Sequence, residues 1–430
     1  MQRKKRMVKT TNKTILDNGI RILTKKIDYA RSVSMGVWVN AGARDELPDQ
    51  NGLSHFIEHM IFKGTEKRTA YQIAKEFDAI GGHTNAFTSM EITCYYAKVI
   101  DAHLTTMVDI LSDIFLNSRF DPEEVEKERP VILQEIGMTE DSPEDYIHTI
   151  LGKNFWGDNP LGRSILGLRE NVALFNSEML KTFFHRFYQP DQIVISVAGN
   201  VEHDRIVDLV RPSFEMVKRG KGLPERHAPQ INAKTTTTEK KLEQVHIGIG
   251  CQGLSSTSPH RYALSIMNTI LGGNMSSRLF QTIREKRGLA YSVYSFISSH
   301  ADTGMFGVYA GVAPFKAYEA TKLILEELQK LRTAPVTPSE LRGAKEFIKG
   351  GILLSSESTD NQMVRLAQNQ LYFNRHISLE TILASIESVT EDDILGLAET
   401  LIDSCKPSIS ILGPGSDAEP FENLANSFNQ

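Results

Sequence analysis

The sequence repeats itself once, and that repeat limits the folds open to it. In the first half, "RSVSMGVWVNAG" alternates as a strand. A helical tract follows around Gly52–Thr65, then "GGHTNAFTSMEITCYYAKV" as a strand pair. "HLTTMVDILSDIFLNS" reads as an amphipathic helix, and "DPEEVEKERPVILQEI" as a helix with an Asp-Pro start. "QIVISVAGNV" closes the half as an apolar strand. The second half runs in the same order: strand "EQVHIGIGCQG", helix "HRYALSIMNTILGG", strands "GLAYSVYSFIS" and "TGMFGVYAGV", helices "FKAYEATKLILEELQKL" and "TPSELRGAKEFIKGGILL", and strand "SISILGPG". Ser196 matches Ser410, and Pro122 matches Pro338, at an offset of about 214–216 residues. A repeat that long in 430 residues is a copied domain, because solenoid units span only about 20–50 residues. The expected class is α+β, with two homologous domains, each a mainly antiparallel sheet packed with helices. The expected bounds are a basic tail over 1–10, a first domain over 11–216, a linker over 217–243 and a second domain over 244–430. The linker "VKRGKGLPERHAPQINAKTTTTEKKLE" has no sustained apolar period and reads as extended.

Composition narrows the function classes. The net charge of −5 gives no global case for nucleic acid, and no run of about 18 apolar residues suggests a membrane span. "MQRKKRMVKT" is basic but is not followed by an apolar stretch of signal-peptide kind, so it reads as a solvated tail. Cys94, Cys251 and Cys405 are too few and too scattered for a disulfide framework or a thiolate zinc site, which favours a reducing compartment.

Chemistry concentrates in "GLSHFIEHMIFKGT". On a helix, His55, Glu58 and His59 project from one face, while Leu53, Phe56, Ile57, Met60 and Ile61 supply the core side. Two imidazoles one turn apart can hold one zinc ion, and a catalytic zinc needs a third protein ligand and an open position. With 12 histidines and 53 acids in the chain, this pattern arises by chance in roughly one such chain in twenty-five. By itself it leaves a structural or surface histidine pair open. In "EKERPVILQEI", Glu128 and Glu135 stand two helical turns apart, and an acid turned inward between Ile132, Leu133 and Ile136 needs a compensating partner. Glu123 and Glu124 read as a solvated face. Pro130 lies between Glu128 and Glu135, and a sharp kink there would take them off a common face.

His55-x-x-Glu58-His59, with Glu135 about 76 positions further on, resembles the inverzincin zinc peptidases: pitrilysin, insulin-degrading enzyme and the mitochondrial processing peptidase. "FDAIGGHTNAFTSMEITCYYA", "NPLGRSILG" and "FYQPDQIVISVAGNV" are similar to the processing-peptidase branch, so the resemblance covers nearly the whole chain. It implies a zinc metalloendopeptidase with one zinc per subunit. His55, His59 and Glu135 would be the ligands. Glu58 would be the general base on zinc-bound water, and Glu128 would hold a ligand histidine in its tautomer. It also implies an edge strand carrying His83, Asn85, Ala86 and Phe87 on which an extended peptide is laid.

The second half lacks the histidine motif but carries "REKRGLAYSVYS". The resemblance implies that Arg284 and Tyr291 reach the substrate carbonyl from an opposing domain and stabilise the oxyanion. "LGGNMSSRLF" is similar to the family's glycine-containing segment, although a helix C-cap explains it as well. In that family the domain facing the zinc belongs to another half of a four-domain clamshell, so for a two-domain chain the resemblance implies a homodimer forming a clamshell chamber with shared active sites. Asp145 occupies the first of two acidic positions that hold a basic substrate residue in processing peptidases, and Thr149 occupies the second; an acidic loop is the plain alternative. The expected partners are peptides, with no nucleic acid or membrane. The expected location is the bacterial cytoplasm, with the mitochondrial matrix as the alternative. A non-catalytic core subunit is the competing reading, and a peptide-binding module with structural zinc is a third.

Overall fold

The computed structural model describes residues 11–220, 222–403, 405–415 and 417–428. The basic tail expected over 1–10 lies outside them. Strands β1 (Thr11–Ile15) and β2 (Arg21–Lys26) form a hairpin whose turn places Gly19 at φ 103°. With β3 (Ser32–Val39), β4 (His83–Thr88), β5 (Thr93–Ile100) and β6 (Ile193–Gly199) they make a six-stranded sheet ordered β1-β2-β6-β3-β5-β4. A second sheet contains β7 (Thr235–Glu239), β8 (Val245–Gln252), β9 (Ala290–Ser299), β10 (Gly304–Val312) and β11 (Ser408–Gly413), ordered β7-β11-β8-β10-β9. Leave out β1 and the two sheets match strand for strand. Each has one parallel pair, β2 with β6 and β7 with β11, and is otherwise antiparallel.

β7 corrects the linker reading. Residues Thr235–Thr238 are β-branched and pair in register with Ile409–Leu412, so part of 217–243 is sheet. Four helices of the first half matter below: α1 (Leu53–Met60), α2 (Ala70–Ala79), α3 (Leu104–Asn117) and α4 (Pro122–Asp141). They are followed by α5 (Pro143–Trp156), which takes up the end of the stretch that could have been an acidic loop.

The packing units depart from the division into 11–216 and 244–430. One unit comprises the chain up to Ile136, Ser164–Glu225 and Ser355–His376; the other comprises Gly137–Arg163, Arg226–Leu354 and Ile377 onward. α5 thus covers the second sheet, and its repeat counterpart, the helix Thr359–Phe373, covers the first. Ile147 of α5 packs with Tyr309 and Leu412, and Asn154 Nδ2 donates to Ser410 Oγ at 2.8 Å. Reciprocally, Met363, Leu366 and Ala367 pack on Trp38, Cys94, Val194 and Ala198, while Asp360 accepts from Ser34 Oγ (2.5 Å) and Lys98 Nζ (2.9 Å). The physical reason lies in the central strands. β6 is buried along its whole length, as is β10, so both faces need cover. The helices of the same half cover one face, and the exchanged helix covers the other. Cys94, Cys251 and Cys405 are all buried, and none of them forms a disulfide.

Candidate metal centre

α1 begins at Gly52 with φ 109°, a left-handed conformation that a side chain disfavours. Space excludes one too. A Cβ on Gly52 would lie 2.9 Å from Gly167 Cα, and one on Gly167 would lie 2.4 Å from Asn51 O. The "SILG" segment therefore lies backbone to backbone against the start of α1, and Asn51 Nδ2 donates to Ser164 O at 2.9 Å. The open amides at the helix start are met by a buried carboxylate. Glu46 accepts from Gly52 N (2.8 Å), Ser54 N (2.7 Å) and Asn51 Nδ2 (3.1 Å). Burial pushes Glu46 up to about 7, against the lowering effect of those donors. Nothing in the sequence flags Glu46, because it caps from six to eight residues away rather than from the helix's own first position.

So anchored, α1 turns its histidines toward α4. The rings of His55 and His59 meet edge to face, with centroids 4.7 Å apart. Among the described residues, one group of side chains could hold a metal ion: His55, His59 and Glu135, whose ligand atoms all lie within 4.8 Å of one another. Glu135 Oε2 lies 3.5 Å from His55 Nε2 and 3.4 Å from His59 Nε2. Ligand atoms around one tetrahedral zinc, each about 2.0–2.1 Å from it, lie about 3.3–3.4 Å from one another. Glu135 thus stands from each histidine at close to the spacing such an ion sets, and the donor set of two imidazoles and a carboxylate suits it. The site fits zinc.

The electrostatics fit as well. Burial first, and the neighbouring His59 second, hold His55 down to about 3, so it keeps a free lone pair. Burial also opposes charge on His59, but the bond to Glu128 and the charges of Glu135, Glu128 and Glu58 outweigh it and raise this imidazole. Glu128 Oε1 lies 2.8 Å from His59 Nδ1. Burial works against the Glu128 carboxylate, yet the bonds from His59 and Lys63 keep it below its ordinary range. Glu58 sits beside the cluster. Burial raises its carboxyl, a bond from Thr88 partly offsets this, and its Oε2 is buried with no hydrogen-bond partner. Pro130 does not separate the two acids of α4. The helix continues through it to Asp141, and Glu128 and Glu135 both reach the histidines.

The other expected residues fall in two places. β4 is an edge strand paired only with β5, and His83, Asn85 and Phe87 alternate outward along it while Ala86 is half-buried. Asn85 Oδ1 accepts from Ala86 N at 2.9 Å. Arg284, Tyr291 and Asp145 belong to the second packing unit, whereas the metal cluster belongs to the first. Arg284 lies in a π-helical turn, Phe280–Glu285, with its guanidinium 4.8 Å from the centre of the Tyr291 ring. Tyr291 is 78 % exposed at the start of edge strand β9. Asp145 is exposed in the first turn of α5, and Thr149 is half-buried one turn on. "LGGNMSSRLF" holds no left-handed helix cap: Gly273 has φ −85°. Its glycine is instead needed at Gly272, where a Cβ would lie 2.4 Å from Ser295 N.

The chain is similar to known proteins over most of its length. Residues 21–169 match Insulinase (Peptidase family M16), and residues 175–348 match the Peptidase M16 inactive domain. The chain is 43% identical to an uncharacterized zinc protease of Bacillus subtilis, over 89% of this chain and 94% of that protein. It is 40% identical to an uncharacterized zinc protease of Streptomyces coelicolor, over 95% of this chain and 91% of that one. A protease from Helicobacter pylori shares the fold at a TM-score of 0.89 and 22% identity, covering 94% of this chain and 99% of that one. An M16 inactive-domain structure from Pseudomonas fluorescens does so at 0.88 and 19%, covering 94% and 98%. Among the described residues, no helix is long and apolar enough to cross a membrane. The chain belongs to the insulinase family of peptidases, M16.

Proposed function

We propose that this chain is a zinc-dependent metalloendopeptidase that hydrolyses extended or unfolded peptides. The observation that carries this reading is the convergence of His55 Nε2, His59 Nε2 and Glu135 Oε2 beside Glu58, whose Oε2 has no partner. His55, His59 and Glu135 would hold one zinc ion per chain. Bound there, zinc supplies Lewis-acid polarisation of the scissile carbonyl and lowers the pKa of the attacking water. Glu58 Oε2 takes the proton from that water and delivers it to the leaving amine. Its burial, which disfavours the charged form, suits a group that must hold a proton between those two events. The free edge of β4 offers main-chain bonds to an extended substrate, and Asn85 and Phe87 flank it. Arg284 and Tyr291, already stacked on one another, supply donors for an oxyanion. In this reading they serve the site from a second copy of the chain, in a closed homodimeric chamber within the bacterial cytoplasm. Asp145 would favour a basic substrate residue near the cut.

Zinc content and cleavage of quenched peptides, measured for wild type and Glu58→Gln, test this. The variant is expected to keep about one zinc per chain and to lose about 10²–10⁴-fold in kcat/KM. Unimpaired cleavage by the variant would remove Glu58 as the base. A zinc-loaded wild type that cuts no peptide would instead make the chain a non-catalytic core subunit. Mixing Glu58→Gln with Arg284→Ala chains, each inactive alone, restores activity if sites are shared between copies; no recovery counts against sharing.

A further inference from the structure

Glu128 has two oxygens and the histidine uses only one of them. Oε1 faces His59 Nδ1 at 2.8 Å, and Oε2 lies 2.5 Å from Lys63 Nζ. Lys63 stands four residues after His59, in the turn that leaves α1, and that turn is tied back to the helix by Phe62 N to His59 O (3.3 Å) and Lys63 N to Met60 O (3.1 Å). The Glu128 side chain is only 8% exposed, and that of Lys63 is 30% exposed. One α4 carboxylate thus bridges an imidazole and an ammonium from a single short stretch.

We propose that Lys63 is a positioning residue for the metal, acting through Glu128. This rests on the zinc reading above. With Oε2 held by Lys63, the carboxylate cannot rotate about its last bond without losing a charge-assisted contact, so Oε1 stays on Nδ1–H. That bond fixes the tautomer that leaves the His59 lone pair on Nε2, the atom 3.4 Å from Glu135. Charge points the same way. Glu58, Glu128 and Glu135 bring three negative charges around a dication, and Lys63 brings the shell to neutrality. A plain surface ion pair would satisfy Glu128 without affecting metal affinity, and that difference is measurable.

The test is zinc affinity by chelator competition at fixed pH, on the full chain. Lys63→Met is expected to weaken zinc binding about tenfold, the lower end for groups that orient a ligand. Lys63→Arg is expected to stay within about threefold of wild type, because a guanidinium can also pair with Oε2. Glu128→Gln should weaken binding to a similar degree, and Lys63→Met combined with Glu128→Gln should weaken it no further, because one acts through the other. An unchanged affinity in Lys63→Met, or effects that add in the double variant, would overturn the proposal. If Lys63→Met does not fold, Lys63→Gln replaces it with the same expectations. Failure of wild type to bind zinc at all would instead sink the functional reading itself.

Discussion

β3 and β8 hold the same place in their sheets, and what stands beside each differs. Next to the first sheet, α1 presents His55 and His59 to Glu128 and Glu135 on α4. The second sheet has the corresponding helices, Arg261–Gly272 and Pro338–Ser355. The former carries no histidine. At the offset that aligns Pro122 with Pro338, Glu128 and Glu135 correspond to Ala344 and Gly351. The end of the first of these helices also approaches β9 closely enough to exclude a Cβ at Gly272. The strand order is indifferent to the metal. A few side chains on flanking helices decide which copy can hold one, and the copy without it carries the half-buried Arg284 stacked on the exposed Tyr291.

The largest expected effect breaks the comparison directly. His55→Ala should drop bound zinc from about one per chain to near zero and reduce peptide cleavage by at least about 10³-fold, since an imidazole ligand is lost. Glu residues placed at Ala344 and Gly351 should add no zinc, because two carboxylates without the histidines make a poor zinc site. Metal analysis settles both. Two zinc ions on the wild-type chain would show that the second sheet also holds one.

The exchanged helices give the next effect. Ile147→Ala and Met363→Ala each empty a fully buried position and should cost about 2–4 kcal/mol. The informative readout is where the loss appears. Ile147 lies in the first half of the sequence, yet hydrogen exchange should rise in β8 and β11; Met363→Ala should loosen β3 and β6 instead. Loosening confined to the half that carries the substitution would refute the exchange.

This is also where the sequence stopped being readable. The duplication and the α1 histidine pair follow from period and residue type, because each is local or repeats at a fixed offset; Glu135 as their partner comes only with the family resemblance, since residue type alone leaves it level with a solvated acid. The exchange is not local. α5 and the helix Thr359–Phe373 have ordinary helical patterns, and nothing in them says which sheet their apolar sides meet. β7 hid in a stretch whose lysines, prolines and glycines outweigh its threonines. Glu46 and Lys63 escaped for opposite reasons: Glu46 caps α1 from a preceding turn, and Lys63 looks like any surface lysine until Glu128 is seen beside it. Pro130 was the reverse case, a local signal for a break that the helix around it overrides.

A smaller effect compares one hydroxyl in each sheet. Ser196 and Ser410 are matched and fully buried. Ser196 Oγ accepts from Trp38 Nε1 at 2.8 Å, whereas Ser410 Oγ accepts from Asn154, which also reaches Thr236 Oγ1 at 2.5 Å. Ser196→Ala leaves an indole N–H buried without this acceptor and should cost about 1–3 kcal/mol; Ser410→Ala leaves Asn154 its other partner and should cost about 1 kcal/mol or less. Equal losses in denaturant unfolding would mean that the exchanged helix does not cushion the second sheet.

The smallest expected effect depends on pH. Glu124 and Glu340 are counterparts, but Glu124 pairs with Lys127 three residues along its own helix, at 2.6 Å. Glu340 instead clasps Arg278 with both oxygens, at 2.7 and 3.1 Å, and accepts from Thr337 N at 2.8 Å. The Arg278 bonds, against burial and helped by Thr337, bring Glu340 down to about 2 from an ordinary 4.5. A carboxylate whose folded pKa is depressed adds stability that is fully present above about pH 4.5 and is lost as pH falls toward about 2. With 30% of the Glu340 side chain exposed, solvent screening reduces that contribution to about 1 kcal/mol. At pH 6, Glu340→Gln should therefore speed hydrogen exchange in 274–286 and in the start of the helix Pro338–Ser355, and near pH 2 variant and wild type should converge. Glu124→Gln should change nothing measurable at either pH, because its single partner Lys127 is largely exposed and an ion pair of that kind within one helix adds little. If both variants respond alike, the two matched acids are equivalent surface groups, and the second sheet's flank is no more tightly tied than the first's.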